Sequence, residues 1–344
     1  MARAERIVHS IGSVGAYSHS QGILAVRETI AKYIERRDGV PAQPNSIFLT
    51  NGASDAVTRV LECIITDKNI GVMIPIPQYP LYSALTSLLN GSSVPYYLDE
   101  AGDWSLKMAE LERAINEARL KNVDVRAICI INPGNPTGNC FSRDAMRDIV
   151  TFCKQNRLIL LADEVYQMNV YGERPFVSAR QVAFEMDADI EVISFNSISK
   201  GLVGECGHRG GYYECYNLDP FVIEQFYKQA SICLCSNVPG QILMSLMVDP
   251  PRAGEQSYER WRDETAEIWA SLKRRAEKLQ SALVSMTDVT CNVAAGAMYL
   301  FPKISFPERL MEHARLLDKQ PDEVYAMELL NATGIVNIFE VLIL

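Results

Sequence analysis

Lys200 lies in the stretch SFNSISKGLVGECGHRGG (Ser194–Gly211), behind Ser197 and Ser199 and nine residues ahead of Arg209. A primary amine in such company can form a Schiff base with an aldehyde. Hydroxyls and a forked guanidinium beside it suit a phosphate. Two further stretches carry complementary groups. LILLADEVYQ offers a carboxylate, Asp163, where an apolar run stops, with Tyr166 three residues on. TNGASD places Gly52, Ala53 and Ser54 at the start of a helical pattern, where unpaired backbone N–H groups and the positive helix end favour an anion. A buried carboxylate such as Asp163 would hold a pyridine nitrogen protonated. Aldehyde, phosphate and basic ring nitrogen together describe pyridoxal 5'-phosphate. Asn135, in INPGNPTG, follows another apolar run, and Tyr79, in PIPQYPLY, follows one more, where its ring could stack on the cofactor.

Taken singly, each of these features is ordinary. A lysine after a loop serine is usually a solvated surface group, an aspartate ending a strand is usually a cap or turn residue, and Asn-Pro-Gly is a common turn. Their order, their placement after apolar runs and their chemical complementarity make coincidence a poor explanation.

Those apolar runs are the elements that must position the groups. Strands are expected at Ser46–Thr50, Gly71–Ile76, Val94–Leu98, Ala127–Asn132, Leu158–Asp163 and Val192–Ser197. Helical patterns lie between them. SLKMAELERAINEARL carries Leu106, Leu111, Ile115 and Leu120 near one face, with Ser105 as its expected N-cap, and SRDAMRDIVTFCKQN begins at another N-cap, Ser142. Nearly all-apolar strands alternating with helices predict an α/β fold, a mainly parallel sheet sandwiched by helices. In such sheets ligands sit at the carboxyl ends of the strands. The pattern changes after about Pro250. One long helix from Tyr258 to about Met286, a strand pair around VTCNVAAGAMYLFP and helices at Pro307–Leu317 and Pro321–Ala332 make a smaller α+β segment. The expected division is a large cofactor-binding domain, 1–255, and a small, incomplete C-terminal domain, 256–344.

Composition narrows the function classes. With 344 residues and 48% apolar content the chain can bury a substantial core. The net charge of -9 is spread along its length, with no basic patch for nucleic acid. Nine scattered cysteines include no C-x-x-C pair and fit a reducing compartment. Only four histidines are present, so no histidine-built metal site is expected. No apolar run reaches the roughly 18 residues that span a bilayer, and the N-terminus lacks the apolar core of a secretory signal. The expectation is a soluble intracellular protein, cytoplasmic or mitochondrial.

INPGNPTG, LADEVYQ and SISKG…HRGG, in that order, resemble the signature of the class I/II pyridoxal-phosphate aminotransferases. GSVGAYSHSQG, TNGASDAV, PIPQYPLYSA, SKGLVGECGHRGGY and GAMYLFP are most similar to the alanine aminotransferase branch, and the likeness runs from about Gly12 to about Gly334. The resemblance implies the aspartate-aminotransferase-like fold (fold type I). It also implies exchange of the amino group between L-alanine and 2-oxoglutarate to give pyruvate and L-glutamate. Lys200 would bond the cofactor's aldehyde and shuttle the proton. Asp163 would pair with the ring nitrogen, Tyr166 and Asn135 would bind the ring's 3'-oxygen, and Tyr79 would stack on the ring. Ala53, Ser54, Ser197 and Arg209 would hold the phosphate, with Ser199 as a helper. Tyr17 matches a tyrosine that reaches the partner's phosphate, which implies a homodimer with shared active sites.

Both ends depart from the family pattern. The chain begins only a few residues before GSVGAY, and after LLNATGI it reads VNIFEVLIL and stops. No arginine follows Arg315, so the family's clamp for the substrate α-carboxylate has no match. The ends read as those of a truncated or alternatively spliced product or a mis-assembled gene model. IFEVLIL is short, apolar and rich in β-formers, the composition of an aggregation-prone or partner-seeking end. Three alternatives stay open: a transaminase of another small amino acid, a lyase, and a form that binds the cofactor or a partner subunit without turnover. A nucleotide-binding module is weaker, since GECGHRGG lacks the G-x-x-x-x-G-K-[ST] spacing.

Overall fold

Seven stretches pair into one sheet in the computed structural model, which describes residues 2–338. In chain order they are β1 (Ile47–Thr50), β2 (Ile70–Ile76), β3 (Ser92–Tyr97), β4 (Asp124–Ile131), β5 (Ile159–Asp163), β6 (Val192–Ser197) and β7 (Gly211–Tyr216). Their order across the sheet is β1-β7-β6-β5-β4-β2-β3. The four pairings among β2 to β6 are parallel, while β7 runs against both its neighbours, β1 and β6. A mainly parallel sheet was the expectation, and the six expected strands are present. The seventh, GYYECY, was not anticipated. It abuts a glycine-rich loop and carries a buried glutamate, Glu214, so it lacks the apolar look of its neighbours. Two reversals restore direction, so β1 runs parallel to β6, and the carboxyl ends of β1, β4, β5 and β6 share one edge.

Side chains alternate between the sheet's two faces, as the pleat requires. Met73, Ile128, Ile130, Leu160, Ala162 and Val192 join a core with Leu111, Ile115, Met146 and Ile149. These last four lie on the helices Met108–Leu120 and Arg143–Asn156. The intervening residues, among them Val72, Ile74, Cys129, Leu161, Ile193 and Phe195, pack on Val57, Val60, Tyr82 and Phe226 of three helices on the other face. Both faces are covered over the inner strands, which is why those read as nearly unbroken apolar runs, while edge strand β3 buries only alternate residues. A third core gathers Ile30 and Ile34 of helix Leu24–Asp38, Met244 of helix Val238–Val248, and Ile47, Leu49 and Tyr212 of β1 and β7.

Helix ends test the capping expectations. The Ser142 hydroxyl accepts a hydrogen bond from the Ala145 N–H at 3.1 Å, a true N-cap. Ser105 is not one. It pairs with Asp99 in an isolated bridge, and the helix starts at Met108 with Lys107 in the cap position. Leu120, placed on the apolar face by spacing, is 85% exposed at the helix's last position.

Beyond the sheet, helix Tyr258–Val284 has no fully buried residue. The strand pair expected around VTCNVAAGAMYLFP shrinks to two residues each, β8 (Val289–Thr290) against β9 (Lys303–Ile304). The stretch between is loop, because its backbone bonds go to other loops. Gly296 N–H donates to the Gly138 carbonyl and Ala297 N–H to that of Asn169, both at 2.9 Å. Helices Glu308–Leu316 and Pro321–Thr333 close the described part. Residues 339–344, most of the IFEVLIL end, lie outside the described residues. Among the described residues no helix is long and apolar enough to cross a membrane.

Candidate active site

Thr50, Gly211 and Ser197 form one row across β1, β7 and β6. That row brings the turn after β1 against the loop after β6. The approach is backbone on backbone: a Cβ on Gly211 would stand 2.6 Å from the Gly52 carbonyl carbon and 2.9 Å from the Ala53 nitrogen. Glycine is required there for close packing. Gly52 itself adopts φ 86° and packs under the Arg209 guanidinium, where any side chain would collide. Arg209 donates from Nη1 to the Cys206 carbonyl and from Nη2 to the Asn51 carbonyl, each at 2.8 Å. Its guanidinium is thus pinned over the start of helix Ala53–Ile64. Among the described residues no side chain caps that helix start, which leaves its first amides for a ligand. Ser197 Oγ accepts from the Ser199 N–H at 3.1 Å and lies 2.9 Å from the Ser199 hydroxyl.

Asp163 ends β5 and is 6% exposed. The buried Tyr82 hydroxyl donates to its Oδ2 at 2.8 Å, and the Val165 N–H reaches Oδ1 at 3.4 Å. Burial pushes its carboxyl up to about 6. The Tyr82 hydrogen bond, the Val165 amide and the charge of Lys200 pull the other way and do not fully offset it. A carboxylate so placed is short of positive charge, and a cationic ring nitrogen would supply it.

Lys200 follows β6, with its Nζ 5.7 Å from the centre of the Tyr166 ring. Among the described residues its amine has no hydrogen bond or ion pair. The Tyr166 hydroxyl lies 2.7 Å from that of Tyr299, and burial and the Tyr299 phenol together hold its proton well above the usual tyrosine range. One cavity of about 190 Å³ gathers these groups. Ala53, Ser54, Tyr79, Asn135, Asp163, Tyr166, Ser197, Ser199, Lys200 and Arg209 all line it, with Cys206 at its wall.

All but one of the residues singled out from sequence therefore converge. The exception is Tyr17, which is 80% exposed and does not line the cavity. Two tyrosines escaped notice. Tyr82 sits three residues after Tyr79, and that spacing on a helix start was its available signal. Tyr299 belongs to GAMYLFP, which shares the family likeness but reads as part of a strand pair, and its contact with Tyr166 bridges 133 positions.

The donor set fits pyridoxal 5'-phosphate on the structure's own terms. The uncapped helix start and the pinned Arg209 offer an anion site. A free amine, Lys200, and a charge-starved carboxylate, Asp163, line the same cavity.

The sequence comparisons agree. The family model "Aminotransferase class I and II" matches residues 1–336. Alanine aminotransferase 2, mitochondrial, of Arabidopsis thaliana is 51% identical, over 97% of this chain and 63% of its own length. Glutamate--glyoxylate aminotransferase 1 of the same plant is 48% identical, over 97% of this chain and 71% of itself. The chain therefore spans about two thirds of the length of such relatives. Among solved structures, the alanine aminotransferase of Pyrococcus furiosus superposes with a TM-score of 0.79 at 23% identity, covering 96% of this chain and 77% of that one. The aspartate aminotransferase of Rhizobium meliloti gives 0.80 at 19%, covering 99% and 80%. At such identities the structural likeness speaks for the fold.

Proposed function

The chain belongs to the class I and II aminotransferases, enzymes that depend on pyridoxal 5'-phosphate, and we propose that it moves the amino group between L-alanine and 2-oxoglutarate, yielding pyruvate and L-glutamate. The observation that carries this is the convergence of Lys200, Asp163 and the Arg209-covered helix start on one cavity.

Each side chain has a task that its setting supports. The first amides of helix Ala53–Ile64, with Ser54, Ser197 and Arg209, grip the phosphate. Tyr79 covers a ring face, and Asn135 and Tyr166 hold the ring oxygen. Asp163 keeps the ring nitrogen protonated. When bound, the protonated cofactor draws electrons from the substrate's α-carbon and so makes its proton removable. Lys200 would be the base that takes that proton from the α-carbon and carries it toward the cofactor's aldehyde carbon, two bonds away across the nitrogen. Among the described residues its amine has no hydrogen bond or ion pair to break before it can move a proton; its neighbour is the Tyr166 ring, 5.7 Å away. The buried Asp163–Tyr82 pair excludes water from the ring-nitrogen end.

The 51% identity to an alanine aminotransferase supports alanine as donor. A second reading, glyoxylate as acceptor, is favoured by the 48% identity to a glutamate--glyoxylate aminotransferase. Tyr17, exposed and not among the residues that line its own chain's cavity, supports a homodimer in which it serves the neighbouring site. Nine free thiols support a reducing compartment, cytoplasm or mitochondrion. The test is a half-reaction. Cofactor-loaded protein given L-alanine should release pyruvate in amounts matching the sites, and 2-oxoglutarate should then restore the original absorbance. Ammonia release without 2-oxo acid dependence would point to a lyase, and an unchanged spectrum would overturn the proposal.

A further inference from the structure

Tyr299 does not line the cavity, yet its hydroxyl lies 2.7 Å from that of Tyr166, which does. The two rings meet edge to face, with centres 5.7 Å apart. The contact is no accident of two rotamers, because the backbone leading to Tyr299 is fastened on both sides. Ala295 accepts from Tyr171 N–H at 2.8 Å and Gly172 N–H at 3.1 Å, and Ala297 donates to the Asn169 carbonyl at 2.9 Å. On the opposite side Gly296 donates to Gly138 at 2.9 Å. The fit leaves no slack. A Cβ on Gly296 would stand 2.6 Å from the Asn169 carbonyl oxygen and 2.8 Å from Cys140 Sγ, and one on Gly138 would stand 3.0 Å from the Tyr299 carbonyl oxygen. Residues 294–299 are thus threaded between the loop after β4, which carries Asn135, and the loop after β5, which carries Tyr166. Val165, Tyr166 and Ala297 share a small core, with Ala53 and Tyr299 packed against it.

Proton counting gives the contact a direction. A phenol has one O–H and can also accept. If Tyr166 spends its proton on a ligand oxygen in the cavity, the hydrogen bond between the two tyrosines persists only with Tyr299 as donor. Without a ligand oxygen the Tyr166 proton can rest on the Tyr299 oxygen, the arrangement in which the Tyr299 phenol holds that proton up. Once a ligand oxygen takes it the bond reverses, and donation from Tyr299 makes Tyr166 a stronger donor, since chained hydrogen bonds polarise one another. We propose that Tyr299 is a positioning residue of the site. It holds the Tyr166 hydroxyl in place and aims its proton at the cofactor's ring oxygen, so that the polypeptide beyond Tyr258 tunes the cofactor through one phenol. The groups around the Tyr166 phenol are Tyr299, Asp163, Tyr79 and Lys200, and Tyr299 is the one hydrogen-bonded to it. This rests on the cofactor reading above.

The test reads the cofactor's colour against pH, independently of turnover. A weaker donor at Tyr166 disfavours charge on the ring oxygen and favours the protonated chromophore, so the midpoint of the absorbance change rises. In the full chain loaded with pyridoxal 5'-phosphate, Tyr299→Phe should raise that midpoint by about half to one pH unit, the size of one net hydrogen bond. Tyr166→Phe should raise it further, and the double variant should match Tyr166→Phe alone, because Tyr299 acts only through Tyr166. Fluorotyrosine at position 299 keeps the shape and strengthens the donor, so it should lower the midpoint. It also serves if the phenylalanine variant folds poorly. Equal midpoints for wild type, Tyr299→Phe and the fluorotyrosine form would overturn this inference while leaving the cofactor reading intact. A wild type that takes up no cofactor would overturn both.

Discussion

Asp163 and Glu164 are adjacent, both buried, and on opposite faces of the sheet. Asp163 looks into the cavity. Glu164 looks into a cluster of charges built from helix Leu24–Asp38, helix Ala179–Glu185 and β7. In that cluster Arg37 grips Asp38 through Nε and Nη2 at 2.6 and 2.7 Å, donates to Gln167 at 2.6 Å and stands 3.5 Å from Glu164. Arg180 donates to Glu214 at 2.9 Å and lies 3.6 Å from Asp38. The Ala179 N–H donates to Glu164 at 2.9 Å. Each of these charges faces an opposite charge, and among the described residues Glu214 Oε2 is the one carboxylate oxygen in the cluster without a hydrogen-bond partner. Across the sheet the balance is reversed: a lone amine, a carboxylate with one strong hydrogen bond and an uncapped helix start. Buried charge that is answered by protein holds the fold together, while buried charge left unanswered is shaped for a ligand.

That contrast can be broken from either side. The largest effect should come from the cavity. Lys200→Ala should slow the alanine half-reaction by roughly 10²–10⁴-fold, the usual worth of a placed proton carrier, with the melting temperature little changed. Second is the charge cluster. Arg180→Met leaves Glu214 buried without its partner and should cost about 3–5 kcal/mol in denaturant unfolding. Cofactor absorbance in whatever remains folded should be normal. A spectral change there, or a stability loss in Lys200→Ala, would blur the two roles.

Third, pH reports on the buried carboxyls, of which Asp163 and Glu164 are raised furthest and Glu214 is raised too by burial against the pull of Arg180. Burial raises Asp163 from 3.8 to about 6, and burial, eased by Arg37, raises Glu164 from 4.5 to about 7. Over those windows the folded chain binds more protons than the unfolded one, so stability without cofactor falls as pH rises from about 4 to 7 and then levels. Asp163→Asn removes one titration. Its stability relative to wild type should grow by about 2 kcal/mol across pH 4 to 6, while the cofactor binds more weakly through loss of its ring-nitrogen partner. A constant difference across pH would contradict the raised carboxyl. Smallest is a control outside both regions. Ser142→Ala should cost about 1 kcal/mol through its lost cap and leave the spectrum and the pH profile alone.

How legible all this was in the sequence varies with the range of the interaction. Strands β1, β2, β4, β5 and β6 were visible because burial on both faces makes them largely apolar, and edge strand β3, buried only at Val94 and Tyr96, still showed as the short apolar run VPYYL. The strand 211–216 was hidden, because Glu214 faces Arg180, a partner far off in sequence. Lys200, Asp163, Asn135 and Ser54 could be placed because strand ends are local and the sheet aligns them. Tyr82 and Tyr299 could not, since each acts through a contact with a distant residue, at 81 and 133 positions' separation. The misplaced Ser105 cap has the same root. An Asp99–Ser105 bridge and a buried Leu106 held that stretch out of the helix.

The most direct test of the central claim is covalent. Purified chain is mixed with pyridoxal 5'-phosphate, reduced with borohydride, digested and mapped by mass. The account predicts one cofactor per chain, fixed on the peptide carrying Lys200. No uptake, or label spread over other lysines, would contradict it.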